Sequence, residues 1–526
     1  MKRRRLSLRA LGCAMLVAGL APLGCSTQRA EVETGADKGS APSAKAAPSP
    51  DAKAPNKAPE PEAAIAKSVK LDASTTFQTW EGAGASLLAW DAKAREQYLG
   101  ERWQQLFLED MGMTVLRIDL LPTPLNPRGI HGDPVVTFGP DLEANVAEFD
   151  YDRAPRAAIY GELAGQLAAR SDADIRILAS VWTPPHWLKD GAKLAHNGND
   201  SGGGRLRMDD ANLEQYSRYM AAAITAWERR FEQPIYALSI QNEPRFQQQY
   251  SSMQLRPPEY AKALAMVATE FERNGIDTRF FGPEDVGYGP EGDHSRIDAQ
   301  LRFVQAIMGD ATAGPALHAI AVHGYGGDGI DSRGHVAPGN WKYYWSSIEG
   351  YGKPSWQTET GGGPPHNKGP VFFANVLFEG MTYGQISMWC NWLFSSNGAL
   401  DQHALVGSDL NTNNLKYSVA KHYFRFIRPG DQRVKVEPAD EDQVRIVAWR
   451  DPKGGHISVV LLNMRNGPAD LTLDLGELGK GRTLHQHQTK AGALFEHLAP
   501  LPVEGTQVKI QLPALSLTTL SDLVIP

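Results

Sequence analysis

The chain has 526 residues, with 53 Lys and Arg against 60 Asp and Glu for a formal charge of −7, and 42% of residues are hydrophobic. A core of this size needs no disulfide or metal staple, and three cysteines cannot frame a disulfide scaffold. The acidic balance argues against a general nucleic-acid binder, because such proteins use clustered Lys and Arg to displace counterions from phosphates.

The first 25 residues begin with Lys2, Arg3, Arg4, Arg5 and Arg9, continue through an apolar run centred on Ala14 to Leu20, and reach Pro22-Leu23-Gly24-Cys25. This is the pattern of an export signal, and its apolar run is shorter than the roughly 20 residues of a spanning helix. A small residue followed by cysteine resembles the bacterial lipobox, with Pro22 where that pattern has leucine. Cys25 is then either a lipidated new N-terminus or part of a cleaved secretory signal, and Ser26 resembles lipoproteins sent to an outer membrane. Residues 26–67 carry no Phe, Trp or Tyr and have prolines at 42, 48, 50, 55, 59 and 61. Such a segment cannot bury enough apolar surface to offset its ordering entropy, which predicts a disordered tether. Cys390 is the one thiol beyond it; with no activating neighbour in sequence it reads as a small buried hydrophobe.

Past residue 68 short apolar runs alternate with amphipathic stretches. Val69–Ala73 is a short strand, within a segment 68–80 assigned to the side domain. Eight further strands follow at Gly82–Leu88, Thr114–Leu120, Ile175–Trp182, Ile235–Gln241, Arg279–Pro283, Ala319–Val322, Ser355–Thr358 and Gln385–Trp389. Helical patterns separate them at Ala94–Leu106, Ile159–Arg170, Asn212–Phe231, Pro257–Asn274, Ile297–Met308, Asn340–Tyr351 and Gly369–Tyr383, with Ser418–Ile427 after the last strand. Alternating strands and helices imply parallel pairing, and eight units predict an α/β fold, a (β/α)8 TIM barrel over residues 81–427. A doubly wound open sheet is the alternative, but Gly82-Ala83-Gly84-Ala85-Ser86 lacks the spacing of a nucleotide fingerprint. From residue 428 to 526 period-two alternation takes over at Gln443–Trp449, His456–Asn463, Leu471–Leu475, Gln507–Leu512 and Leu515–Leu520. These predict a side β-sandwich domain formed mainly by the C-terminus.

Chemistry in such a barrel sits where the strands end. The strand ends here carry Arg117-Ile118-Asp119, Trp182-Thr183-Pro184-Pro185-His186-Trp187, Gln241-Asn242-Glu243-Pro244, His323-Gly324-Tyr325, Gln357-Thr358-Glu359-Thr360-Gly361 and Met388-Trp389-Cys390-Asn391-Trp392. Glu243 and Glu359, after strands four and seven, face one another across a barrel mouth, which is what glycoside hydrolysis needs. One carboxyl protonates the leaving oxygen and the other attacks the anomeric carbon, at a separation of about 5–5.5 Å for retention. The acid should have its pKa raised by its carboxylate neighbour and partial burial, and Arg117 should keep the nucleophile ionised. Trp182, Trp389 and Trp392 offer flat faces for the C–H faces of sugar rings. Each residue alone has a plainer reading: core packing for a tryptophan, a structural ion pair for Arg117, a satisfied core histidine for His323. His485-Gln486-His487 reads as two side chains on one strand face, because no further ligands lie nearby in sequence. The case rests on these groups occurring together at successive strand ends.

These residues resemble glycoside hydrolase family 30, within the clan A retaining β-glycosidases. The resemblance runs from about residue 77 onward and is anchored by Phe77 to Ser86, Trp182 to Trp187, Ser239 to Pro244, Thr358-Glu359-Thr360 and Tyr423 to Gly430. It implies Glu243 as acid/base and Glu359 as nucleophile, with Asn242 on the sugar 2-hydroxyl. It further implies that Arg117 and Tyr325 hold the nucleophile, that Trp389 floors the subsite of cleavage, that no cofactor or metal takes part, and that the side domain draws on both chain ends.

The expected activity is retaining cleavage of a β-linked glycan, endo-acting on a β-1,6-glucan or xylan type polysaccharide. An exo-β-glycosidase or glucosylceramidase-like enzyme is one alternative, and a non-catalytic surface lipoprotein that binds glycan is another. Substrate contacts are assigned to Arg117, Trp182, Asn242, His323, Tyr325, Trp389 and Trp392. Relatives that read a glucuronate branch do so with an arginine after strand eight; Ser395–Lys416 has none, leaving Lys416 or a residue elsewhere as a substitute. The Gly- and Asn-rich stretch Lys189–Arg207 is read as a lid or else a solvated insertion. Residues 1–67 carry 11 basic and 6 acidic residues, so the remainder has 42 against 54, a net of −12. That surplus points to a neutral glycan. The protein is expected to be exported, to sit at the cell surface or outer membrane through lipid on Cys25 or be secreted, and to be a monomer without nucleic-acid partners.

Overall fold

In the computed structural model the described residues are 62–87, 91–125, 136–191, 193–194, 201–248, 250–286, 294–325, 338–361 and 369–523. The export signal, Cys25 and residues 26–61 of the tether lie outside them.

All eight predicted barrel strands form: Gly82–Ser86, Val115–Asp119, Arg176–Ser180, Ile235–Ser239, Arg279–Val286, Leu317–His323, Ser355–Glu359 and Ile386–Asn391. Each pairs in parallel with the next, and the eighth returns to the first through Met388 to Asn391 against Gly82 to Ala85, closing the barrel. Covered inside by side chains and outside by helices, these strands read as continuous apolar runs rather than alternating ones. Val115, Leu178, Ala237, Phe281, Ala319, Ala321, Trp356, Met388 and Cys390 fill the interior. Strand one adds no bulk there, and at Gly84 a Cβ would lie 1.8 Å from the Val115 carbonyl oxygen. Helix Pro257–Asn274 has its expected bounds, set by proline at its start and by Gly275, with φ 66°, at its end. The first expected helix does not run unbroken: Ala92–Tyr98 stops at Leu99-Gly100, and the chain resumes as Glu101–Gln104 and a π-helical turn, Gln105–Asp110. The extended Gly100 makes that break.

The side domain is one sheet folded over its own core. Its order is Ala493–Pro502, Thr483–Lys490, Ser516–Ser521, Ile457–Asn463, Val444–Arg450, Gln432–Glu437, Ile65–Thr79, Ala469–Asp474, Gln507–Leu512. Leu484 and Leu520 from one end meet Val508 and Ile510 from the other in a single cluster. Period-two alternation sorts the side chains: Val444, Ile446 and Ala448 enter that cluster, while Val447 and Trp449 join the barrel's core. The N-terminal strand is much longer than Val69–Ala73 and begins at Ile65, inside the stretch read as tether. It pairs antiparallel with Gln432–Glu437 and parallel with Ala469–Asp474. Sequence reading passed over Gln432–Glu437 and the hairpin Thr483–Pro502, whose His, Gln, Lys and Pro content gives little strand signal.

Candidate functional site

Five charged side chains meet beneath the barrel mouth, each carried by a different strand end. Arg117 comes from strand two, Glu243 from just beyond strand four, Glu284 from strand five, His323 from strand six and Glu359 from strand seven. Glu243 and Glu284 both adopt left-handed backbone, φ 47° and 55°, which costs a glutamate about 1 kcal/mol or more. The turn is held because the Asn242 amide donates to the Val181 carbonyl at 2.8 Å and the Glu243 amide to the Glu284 carbonyl at 3.0 Å.

Arg117 is fully buried and is the hub. Its Nε donates to Glu284 Oε1 at 3.0 Å, its Nη1 to Glu359 Oε2 at 2.8 Å and to Ser86 Oγ at 3.1 Å, and its Nη2 to Asn242 Oδ1 at 2.7 Å. His323 Nδ1 lies 3.1 Å from Glu243 Oε1 and 3.8 Å from Glu359 Oε2, and its Nε2 lies 3.6 Å from Glu284 Oε1. Burial alone would remove the imidazole's proton, but the three glutamates raise its pKa to about 9. Arg117 Nη2 stands only 3.3 Å from Nε2, a contact of two cations held by the carboxylates around both. Glu284, despite its burial, is held down to about 2 by Arg117 and His323.

Glu359 departs from expectation. Burial raises its carboxyl above the ordinary value and Glu243 adds to this, while His323, Arg117 and the Tyr325 hydroxyl act in the opposite direction. Arg117 was expected to hold this group down; desolvation outweighs it. Carboxylate oxygens of Glu243 and Glu359 and a His323 ring nitrogen all lie within 4.8 Å of one another. These three groups also offer one ligand atom each to a single ion.

Above the cluster opens a cavity of about 860 Å³, near the top of the roughly 300–1,000 Å³ range of small-molecule sites. Asn242, Glu243, Tyr325, Glu359, Trp182 and Trp392 line it, the two tryptophan rings 6.2 Å apart. Arg117 and His323 do not line it and meet the carboxylates from below, so neither makes the direct sugar contact expected of it. Trp389 is also misplaced by the sequence reading. Its ring is fully buried in the helix-side core, its Nε1 donating to Asn391 Oδ1 at 3.0 Å, and a Cβ on Gly380 would come within 2.7 Å of it. Trp392 is the strand-eight tryptophan in the cavity. Lys416 does not face it either: its buried ammonium donates to the carbonyls of Asp401 and Gln402 at 3.3 and 3.0 Å.

Sequence reading missed much of the wall. Phe246, Gln248, Tyr250 and Ser251 follow strand four, Asp285 and Val286 end strand five with Asp285 paired to Arg245, and Asp119, Arg156 and Arg296 also line the cavity. Two aromatics within seven residues of Asn-Glu-Pro were the available signal. The Lys189–Arg207 stretch is a brace where it is described. Short ribbons pair Lys189–Asp190 with Arg205–Leu206 and Lys193–Leu194 with Ser201–Gly202. Buried Lys189 donates to Thr183 Oγ1 at 2.6 Å, to Gly203 O at 2.9 Å and to Ser252 O at 2.8 Å, tying the loop after strand three to the loop after strand four. His485 and His487 stand two residues apart on strand Thr483–Lys490, as expected of two side chains on one face, and His497 of the paired strand stacks 4.9 Å from His487.

No protein-family profile and no curated protein matches the sequence. Solved structures do. A family 30 endoxylanase from Clostridium papyrosolvens C71 aligns at TM-score 0.64 and 18% identity, covering 86% of this chain and 99% of its own. An endo-β-1,6-glucanase aligns at 0.58 and 16%, covering 86% and 93%. A glucosidase from Croceicoccus marinus aligns at 0.55 and 13%, covering 87% and 99%. The chain therefore has the fold of glycoside hydrolase family 30, a TIM barrel with a side β-sandwich.

Proposed function

We propose that the protein is a retaining glycoside hydrolase acting on a β-linked glycan, with Glu243 as acid/base and Glu359 as nucleophile. The observation that carries this reading is the pair of carboxylates with oxygens within 4.8 Å in a cavity walled by Trp182 and Trp392. Oxygens this close favour a pair set for direct attack by one carboxylate over an inverting pair spread to admit a water between them. Arg117 and Tyr325 donate to Glu359 and orient it for attack on the anomeric carbon. Glu243, reached by the Gln248 amide at 3.2 Å, gives its proton to the leaving oxygen and then takes one from the incoming water. Asn242, fixed by Arg117, is placed for the 2-hydroxyl.

A β-1,6-glucan or xylan type polysaccharide is the proposed substrate, cut within the chain. The endoxylanase and β-1,6-glucanase among the structural neighbours support that class. The cavity lining includes both arginines and aspartates, which suits a neutral glycan whose hydroxyls both donate and accept. Export and anchoring through Cys25 remain part of the proposal, supported by the basic, apolar and cysteine order of the N-terminus; fatty-acid labelling lost in Cys25→Ala tests it. For the chemistry, Glu359→Gln should fold normally and release reducing sugar from xylan or β-1,6-glucan roughly 10³-fold or more slowly. An active variant, or an α-anomer as first product by NMR, would overturn the mechanism.

A further inference from the structure

We infer that Phe246 and Tyr250 form a stacking platform for a sugar ring on the leaving-group side, so that the bond cut joins two sugars rather than a sugar and a lipid. This rests on the glycosidase reading above. Among the described residues these two are the most exposed large apolar side chains, 53% and 59%, and both line the cavity that holds Glu243 and Glu359. Open aromatic faces in water have no folding role to justify them; in a cleft they offer flat apolar surface to a ring.

Position assigns them to one side of the cut. The acid protonates the oxygen of the leaving group, so that group must lie against Glu243, and the loop bearing Phe246 and Tyr250 starts at Glu243. Gln248, between them, touches the Glu243 carboxylate. Partial burial, with the charges of both glutamates adding to it, raises the Tyr250 phenol to about 12. The trailing end of the loop is fixed: Gly203 N donates to Ser252 Oγ at 2.9 Å, Gln254 N to Gly204 O at 2.9 Å, and Lys189 to Ser252 O. Trp182 and Trp392, which come from other strand ends, line the same cavity, whose volume of about 860 Å³ leaves room for more than one ring. Gln248 lies between the two aromatics in the chain, Arg245 just before them, and Asp285, paired with Arg245, lines the same cavity. Polar groups interleaved with flat faces fit the hydroxyl rim and C–H face of a sugar, whereas an alkyl tail would have to desolvate the Arg245–Asp285 ion pair.

The test compares kcat/KM for leaving groups that differ on one glycone. Gentio-oligosaccharides, octyl β-glucoside and 4-nitrophenyl β-glucoside form one set; xylo-oligosaccharides, octyl β-xyloside and 4-nitrophenyl β-xyloside form the other. The Phe246→Ala/Tyr250→Ala double variant should lower the oligosaccharide-to-nitrophenyl ratio at least 30-fold, through KM more than kcat. Tyr250→Phe should keep most of the wild-type ratio, and the control Leu99→Ala, outside the cavity, should keep all of it. An unchanged ratio in a double variant of wild-type Tm overturns the platform and leaves the glycosidase standing. A loss on the octyl glycoside as large as on the oligosaccharide overturns the sugar assignment in favour of a lipid. A wild type that cuts neither set overturns the glycosidase reading and the platform with it.

Discussion

His323 holds a proton that burial alone would remove, because Glu359, Glu243 and Glu284 surround it and raise its pKa to about 9. An unfolded histidine titrates near 6.5, so the folded chain binds the extra proton between these values. The stabilisation is complete below pH 6.5 and disappears as pH rises through 9, at about 1.4 kcal/mol per unit in between. Buried Lys416, held down to about 7, contributes the opposite slope as pH rises, so the His323 effect is read as a difference: from pH 6.5 to 9 the wild type should lose Tm relative to His323→Gln, and parallel curves would assign the proton to other groups. Glu359 sets a second pH dependence. On the proposal that Glu359 is the nucleophile, it must be ionised, so kcat/KM should drop as pH falls through its raised value, above the roughly 4.3 of a free glutamate. Tyr325→Phe removes a donor to the charged form, a bond of about 1.5–3 kcal/mol, so the acidic limb should climb by about one unit or more. A limb that stays in place would take Glu359 out of the nucleophile's role. Both glutamates were readable from sequence because each stands at the end of a clear apolar strand. Trp389 was not: strand eight continues to Asn391, so its side chain still alternates with the inward Met388 and Cys390, and only Trp392 escapes into the cavity. Glu284 was lost for the related reason that strand five was ended at Pro283, whereas it runs to Val286.

At the scale of elements, the regular parts were legible and the connections were not. Eight apolar runs and their amphipathic partners repeat the same physical requirement, burial on both faces and on one stripe, and each leaves a periodic trace. The brace after strand three leaves none, since its strands are two residues long and its main tie is a lysine, a residue ordinarily assigned to solvent. Lys189 nevertheless holds acceptors from three places on two loops. Lys189→Met keeps the stem and removes the donors, leaving the Gly203 and Ser252 carbonyls without this partner in a buried setting. Each unmet group costs about 1–3 kcal/mol. The variant should lose several kcal/mol of stability, and amide exchange should quicken at residues 201–206 and 250–255 before the barrel strands respond. Uniform exchange throughout would mean that the lysine stabilises the whole barrel and not these loops.

The whole molecule is tied together by its first described strand. Ile65–Thr79 lies in the interior of the side-domain sheet, with partners on both edges, and places Val69 and Leu71 in the sandwich core. Arg465 clamps its start, bonding Glu62 Oε2 at 2.9 Å and the Ala63 carbonyl at 3.0 Å. The other face of that sheet packs on the barrel: Trp449 meets Trp80 at 5.7 Å, and Arg445 pairs with the buried Glu379 of helix Gly369–Thr382 at 2.6 Å. That helix connects strands seven and eight, which carry Glu359 and lead to Trp392. Removing the strand would open two bare sheet edges and uncover apolar core, and both consequences favour aggregation over folding. A chain beginning at Glu62 should therefore match the full-length protein in Tm and in any glycan cleavage, whereas one beginning at Trp80 should be recovered insoluble or melt far lower. If the shorter chain melted with the full-length protein, the side domain would be an appendage, and the barrel alone would hold Glu243 and Glu359 in place.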